Sequence, residues 1–141
     1  MHREFKAARS FVLSLEKDSD PVLSLQKFCA ENRIEKGFLW GIGALSKAIF
    51  GYYRIEEDRY QTTEKDEFLE MLNCQGNISL KNSEIFLHLH VTLADVKGIL
   101  CGGHLMEGSR VFAGEFFLQE IAGEPLVREK DPATGLFLWR E

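Results

Sequence analysis

Residues 86–105 read FLHLHVTLADVKGILCGGHL, and three of the chain's four histidines, His88, His90 and His104, lie in this one stretch. Its first eight residues are apolar and β-branched enough to form a strand. Side chains alternate along a strand, so His88 and His90 point to the same face, one pleat apart. Ala94-Asp95-Val96-Lys97-Gly98 reads as a hairpin turn. A three-residue loop, Val96-Lys97-Gly98, puts Gly98 in the left-handed conformation that a type I turn plus bulge requires. Asp95 then faces Ile99. Counting back from that pair sets His90 directly opposite His104, with His88 diagonally beside them. Directly opposed residues have Cβ atoms roughly 5 Å apart, close enough for three rings to converge on one ion. A two-residue loop would slip the register by one and send His104 to the other face.

Three imidazoles plus an open position form the coordination set of a reactive zinc site, whereas closed structural sites mostly use four Cys or His ligands. The expectation is one divalent cation held by His88, His90 and His104. Zinc is the default, and nickel, cobalt, iron and copper accept the same ligands. The competing reading is three ordinary histidines hydrogen-bonded within a semi-polar strand pair. A lone strand histidine is usually that; His-x-His with a third histidine at a compatible offset favours the metal.

At 141 residues the chain is long enough for one domain with a core that needs no staples. A hydrophobic content of 45% with 28% charged residues excludes a disordered chain. The net charge is −5 and the basic residues are scattered singly among acids. That speaks against a protein holding nucleic acid by its own surface, since neutralising phosphates takes clustered Lys and Arg. Cys29, Cys74 and Cys101 are odd in number and form no C-x-x-C pair, which reads as three reduced, mostly buried thiols in a cytoplasmic protein. The opening MHREFKAARS has no apolar segment behind its charges, so no signal peptide is expected, and the longest uncharged runs, residues 37–46 among them, are too short to span a membrane.

Apolar alternation over residues 4–15 predicts an opening strand. Asp20 is a good N-cap and Pro21 fits the first helical position; Val22, Leu25, Phe28 and Cys29 then follow helical spacing to about Arg33. Strands are predicted over residues 37–45 and 48–55, with Glu56-Glu57-Asp58 as a solvated turn. Gly41-Ile42-Gly43 lacks the third glycine and the following helix of a dinucleotide loop, so it reads as close backbone packing or a bulge. Short strands follow over residues 60–63, 67–74 and 77–80, punctuated at Gln75-Gly76-Asn77 and Lys81-Asn82-Ser83. After the histidine hairpin come a long strand over residues 111–121, a turn at residues 131–135 and a terminal apolar strand over residues 136–139. Glu115 sits between apolar neighbours in the long strand; a buried carboxylate needs a partner. Two readings follow for it: a salt bridge or exposed edge position, or an acceptor for a metal-bound imidazole or a general base. Many short strands and one early helix make an α+β fold with mostly antiparallel sheets. The apolar strand surface exceeds what one helix covers, which points to an oligomer interface.

The combination of Gly41-Ile42-Gly43-Ala44, Gly51-Tyr52-Tyr53, His88-Leu89-His90-Val91-Thr92-Leu93-Ala94-Asp95 and Gly102-Gly103-His104-Leu105 resembles the plant and prokaryote conserved (PPC) domain. The likeness runs in order over about residues 5–121. It implies one α+β domain over residues 1–141, with a core at about 5–121 and a C-terminal extension at 122–141, assembling as a homotrimer. Plant members of the family carry the domain beside AT-hook segments in nuclear DNA-binding proteins, where it serves assembly and partner contact. Prokaryotic members are usually the bare domain, and some look like metal proteins using the three histidines, here His88, His90 and His104. This chain has no Arg-Gly-Arg-Pro core and no basic tail, so the hook's minor-groove contact is missing.

Two functional readings follow. One is a metal-binding homotrimer with a three-histidine site, whose zinc-bound water would have a pKa lowered toward about 7; no catalytic acid, base or substrate-orienting group is assigned. The other is a regulatory or interaction module that binds DNA or a DNA-bound partner, against which the acidic balance weighs.

Overall fold

In the computed structural model, which describes residues 3–139, Asp20 and Pro21 start the one α-helix among the described residues, as their residue types predict. α1 (Pro21–Glu31) is capped by the Asp20 carboxylate, which accepts from the backbone N–H of Val22 and Leu23 at 2.8 and 3.1 Å. Such a cap contributes about 1 kcal/mol. The second Asp20 oxygen accepts from Gly108 N–H, tying the helix start to a distant turn. Leu25 and Cys29, four residues apart, are fully buried, and Gln26 Nε2 donates to the Ile85 carbonyl at 2.8 Å.

The rest is sheet. β1 (Lys6–Leu15), β2 (Gly37–Arg54), β3 (Arg59–Lys65), β4 (Leu69–Lys81), β5 (Glu84–Ala94), β6 (Leu100–Leu105), β7 (Arg110–Ala122), β8 (Val127–Lys130) and β9 (Phe137–Trp139) form one nine-stranded sheet. Every pairing is antiparallel except β4 with β8, so the α+β, mostly antiparallel expectation holds. No helix among the described residues is long and apolar enough to cross a membrane.

Two predicted breaks are absent. The strands predicted over residues 37–45 and 48–55 form the single strand β2, which ends at Arg54, because the register shift between Leu45 and Lys47 bends the strand without ending it. Residues 67–74 and 77–80 likewise merge into β4, which runs through Gly76. β2 pairs with β7 and β4 along its first half and with β3 and β6 along its second. The path β2–β4–β5–β6 therefore returns to β2. Gly41 and Gly43 serve this crowding: β7 backbone lies where either Cβ would sit, and the β4 register shifts between the two.

The closed path aims β5. Leu87, Leu89, Val91 and Leu93 point into the core and are almost fully buried. Each such side chain contributes on the order of 1.5–3 kcal/mol. A one-residue slip would expose all four, so the register that buries them also places His88, His90 and Thr92 on the outer face.

Candidate metal centre

The hairpin turn has the loop length that the histidine arithmetic needs. Asp95 N–H donates to the Ile99 carbonyl at 3.1 Å, Gly98 N–H donates back to Asp95 at 2.9 Å, and Gly98 has φ +75°. The Asp95 carboxylate also accepts from Lys97 and Ile99 N–H. His90 consequently pairs with His104 across β5 and β6.

The three rings converge on the outer face. Ring centroids lie 5.0 Å apart for His88–His90, 5.1 Å for His88–His104 and 5.7 Å for His90–His104. One nitrogen from each lies within 4.8 Å of the others, and the Nε2 atoms of His88 and His90 are 3.2 Å apart. Ligand nitrogens at 2.0–2.1 Å from a tetrahedral zinc are roughly 3.3 Å apart, so that pair already has ligand spacing. A hydrogen bond between His88 and His90 would also explain their contact. It leaves His104 Nδ1 buried with no hydrogen-bond partner, which a ligand role or a bound water would explain.

Electrostatics keep two of the imidazoles neutral. His88 is lowered to about 4 by burial, then by the charges of Arg128 and His90. His104 is also lowered to about 4, by burial first, then by His88, His90 and Arg128. A neutral imidazole is the form that ligates a metal. Both folded values lie below the ordinary 6.5, so the unfolded chain binds more protons between those limits. Stability of metal-free protein should be full above pH 6.5 and fall as pH drops toward about 4. Thermal melts across that range check this; a melting temperature that rises on acidification contradicts it.

Glu115 does not belong to the cluster. Its side chain is exposed, its strand neighbours are Ser14 and Ile42, and two strands separate β7 from β5. Its exposure fits the simpler reading, although β7 lies between β1 and β2 and is not an edge strand. Cys29 and Cys74 are buried, and burial pushes each thiol up to about 12, which leaves them inert at neutral pH.

Over residues 2–122 the sequence matches the family model of the Plants and Prokaryotes Conserved (PCC) domain, also written PPC. The chain belongs to this family. A PPC protein from Pyrococcus horikoshii superposes with a TM-score of 0.95 at 34% identity, covering 100% of this chain and 97% of that one. A metal-containing protein from Archaeoglobus fulgidus superposes at 0.92 with 40% identity, covering 98% and 97%. A candidate DNA-binding protein from Bacteroides thetaiotaomicron superposes at 0.87 with 27% identity, covering 96% of each. Among curated sequences, the bifunctional protein GlmU of Synechococcus sp. strain JA-3-3Ab is 31% identical over 129 residues; the match covers 90% of this chain and 20% of that protein, so this chain spans about a fifth of its relative's length.

In this PPC domain two further residues stand against the histidines, and neither was anticipated. Tyr60 lies with its ring 5.0 Å from that of His104. Arg128 comes from β8, an unpredicted strand beyond the stretch matched to the family, and it lowers the pKa of both His88 and His104. Its position between apolar Leu126 and Val127 and acidic Glu129 gave no periodic signal.

Proposed function

We propose that this PPC domain is a homotrimeric metal-binding protein in which His88, His90 and His104 hold one divalent cation, zinc being the first candidate. The observation that carries the reading is the convergence of one nitrogen from each histidine to within 4.8 Å on the outer face. The 40% identity to a metal-containing protein along nearly its whole length supports it. Zinc held by three imidazoles keeps a fourth position for water and lowers the pKa of that water toward about 7, supplying a nucleophile near neutral pH. The chain's own part is to present neutral nitrogens: burial and the charge of Arg128 keep His88 and His104 unprotonated, while Tyr60 packs against the His104 ring. Metal-free protein dialysed against zinc and then submitted to elemental analysis should carry one ion per chain. A value near zero refutes the reading.

The trimer draws on the same face. Cross-strand partners run Val12–Phe117–Trp40–Gln75–His90–His104 across six strands. The apolar end of this row is open to solvent in a single chain: Val12 is 83% exposed and Trp40 48%. Such a patch calls for a protein neighbour. Sedimentation equilibrium should return three times the chain mass; a single-chain mass at micromolar concentration rules this out.

The second reading, a DNA-binding module, is favoured by the name of the Bacteroides relative. It meets a net charge of −5 per chain. Each phosphate contact adds roughly 0.9 to the salt slope of binding and needs a cation to make it. Titration of random duplex at physiological salt is expected to show no submicromolar binding. Tight binding with a steep salt slope would put the DNA-binding reading first.

A further inference from the structure

The three histidines line one side of a cavity of about 690 Å³, walled by β2, β3, β5, β6, the end of β4 and the β8–β9 hairpin. Its charges are lopsided. Four basic side chains, Arg59, Lys81, Arg128 and Lys130, line it against the single lining acid Asp58, which already accepts a hydrogen bond from Tyr53; Arg59 pairs with Glu57, so Lys81, Arg128 and Lys130 carry the excess. The chain as a whole is acidic, so this basic wall is a local feature.

Arg128 is its deepest member, with 6% of its surface exposed. It donates to Ser79 Oγ, Asn77 Oδ1 and the Phe137 carbonyl at 2.8, 2.7 and 2.9 Å, and its guanidinium lies 5.3 Å from the rings of both Phe86 and Trp139. All these partners are neutral. No carboxylate among the described residues forms a salt bridge with it. Clamping β8–β9 onto β4 explains the three hydrogen bonds. It does not explain why a full charge is kept largely out of water with no carboxylate partner among the described residues, which is costly. Three of the five guanidinium N–H donors are committed, leaving two for a ligand. Flat apolar surface adjoins the charges: Lys81 Nζ lies 4.1 Å from the Phe137 ring centroid and 5.1 Å from that of Phe86.

We propose that this cavity binds a small organic anion, with its carboxylate or phosphate received by Arg128 and Lys81 and its apolar body laid along Phe86, Phe137 and Tyr60, next to the three histidines. The proposal names the ligand class of the proposed metal site and to that extent rests on that reading. The proposed anion contacts include none of the three histidines, so the two can fail separately.

The test is calorimetric titration of metal-free and zinc-treated protein with phenyl phosphate and benzoate, using benzyl alcohol and benzylamine as neutral and cationic probes of the same shape. The anionic probes should bind at least about tenfold more tightly than either control, a difference of about 1.4 kcal/mol. Phenyl phosphate against benzoate then tells which headgroup is preferred. Arg128→Met and Lys81→Met should each weaken anion binding about tenfold or more. Lys81→Met decides the matter if Arg128→Met fails to fold. Metal-free protein should bind phenyl phosphate within about threefold of zinc-treated protein, a difference of no more than about 0.7 kcal/mol. The proposal is overturned if benzyl alcohol binds as well as phenyl phosphate, or if the Arg128 and Lys81 variants bind anions unchanged. It is also overturned if anion binding disappears when zinc is removed from the unaltered protein. Protein that takes up no zinc but still binds phenyl phosphate through Arg128 and Lys81 sinks the metal reading and upholds this one.

Discussion

Replacing His90 by Ala is expected to abolish stoichiometric metal binding and leave the fold standing. His90 is the hub of the cluster: it pairs with His104 across the hairpin, and its Nε2 lies 3.2 Å from that of His88. Without it two imidazoles remain, too few for the coordination set that zinc sites use. Loss of an outer-shell partner of a metal ligand already costs 10–100-fold in affinity, so loss of the ligand itself should cost at least about 100-fold. Stability should change little, within about 0.5 kcal/mol for metal-free protein, because the His90 side chain is exposed and leaves no cavity behind. Chelator competition reads the affinity and a denaturant melt reads the fold. A variant that keeps one ion per chain places the metal elsewhere.

Gly76→Ala should be among the most damaging single methyls in the sheet. Gly76 lies between Leu39 on β2 and Leu89 on β5, with both neighbouring strands hydrogen-bonded to β4. A Cβ there would fall 1.8 Å from the His88 carbonyl oxygen and 2.9 Å from Leu89 Cδ2. Backbone cannot turn away as a side chain can, and strands on both sides of β4 stop it backing off. The expected cost is about 3 kcal/mol or more, read as a lower denaturant midpoint. The same methyl presses on the backbone of His88, so metal affinity should fall along with stability. A shift of under about 0.5 kcal/mol would mean that β4 and β5 are not paired in this register.

The histidine cluster was legible in the sequence because its geometry is local arithmetic. Gly98 sets the loop length, the loop sets the register, and period-two alternation does the rest. The start of α1 was legible for the same reason, since Asp20 and Pro21 act within one turn. Continuity of β2 and β4 was not. Gly76 read as punctuation in a strand, whereas its reason lies in backbone packed against it from β5, far along the chain. Glu115 looked buried because its neighbours are apolar, but this outer face itself carries exposed Val12, Trp40 and Ile42, so apolar neighbours there do not signal burial. Arg128 reaches the site only through the parallel pairing of β8 with β4, a non-local contact that four residues of sequence do not announce.

One face thus carries an apolar patch at one end and three convergent imidazoles at the other, with the basic cavity adjoining the histidines. The histidines are the centre of this account. Anomalous diffraction at the zinc edge, from crystals of zinc-loaded protein, tests them most directly. The expected result is one peak per chain, about 2.0–2.1 Å from a nitrogen of each of His88, His90 and His104. A peak on other residues, or no peak at the histidines in crystals that elemental analysis shows to be loaded, would contradict it.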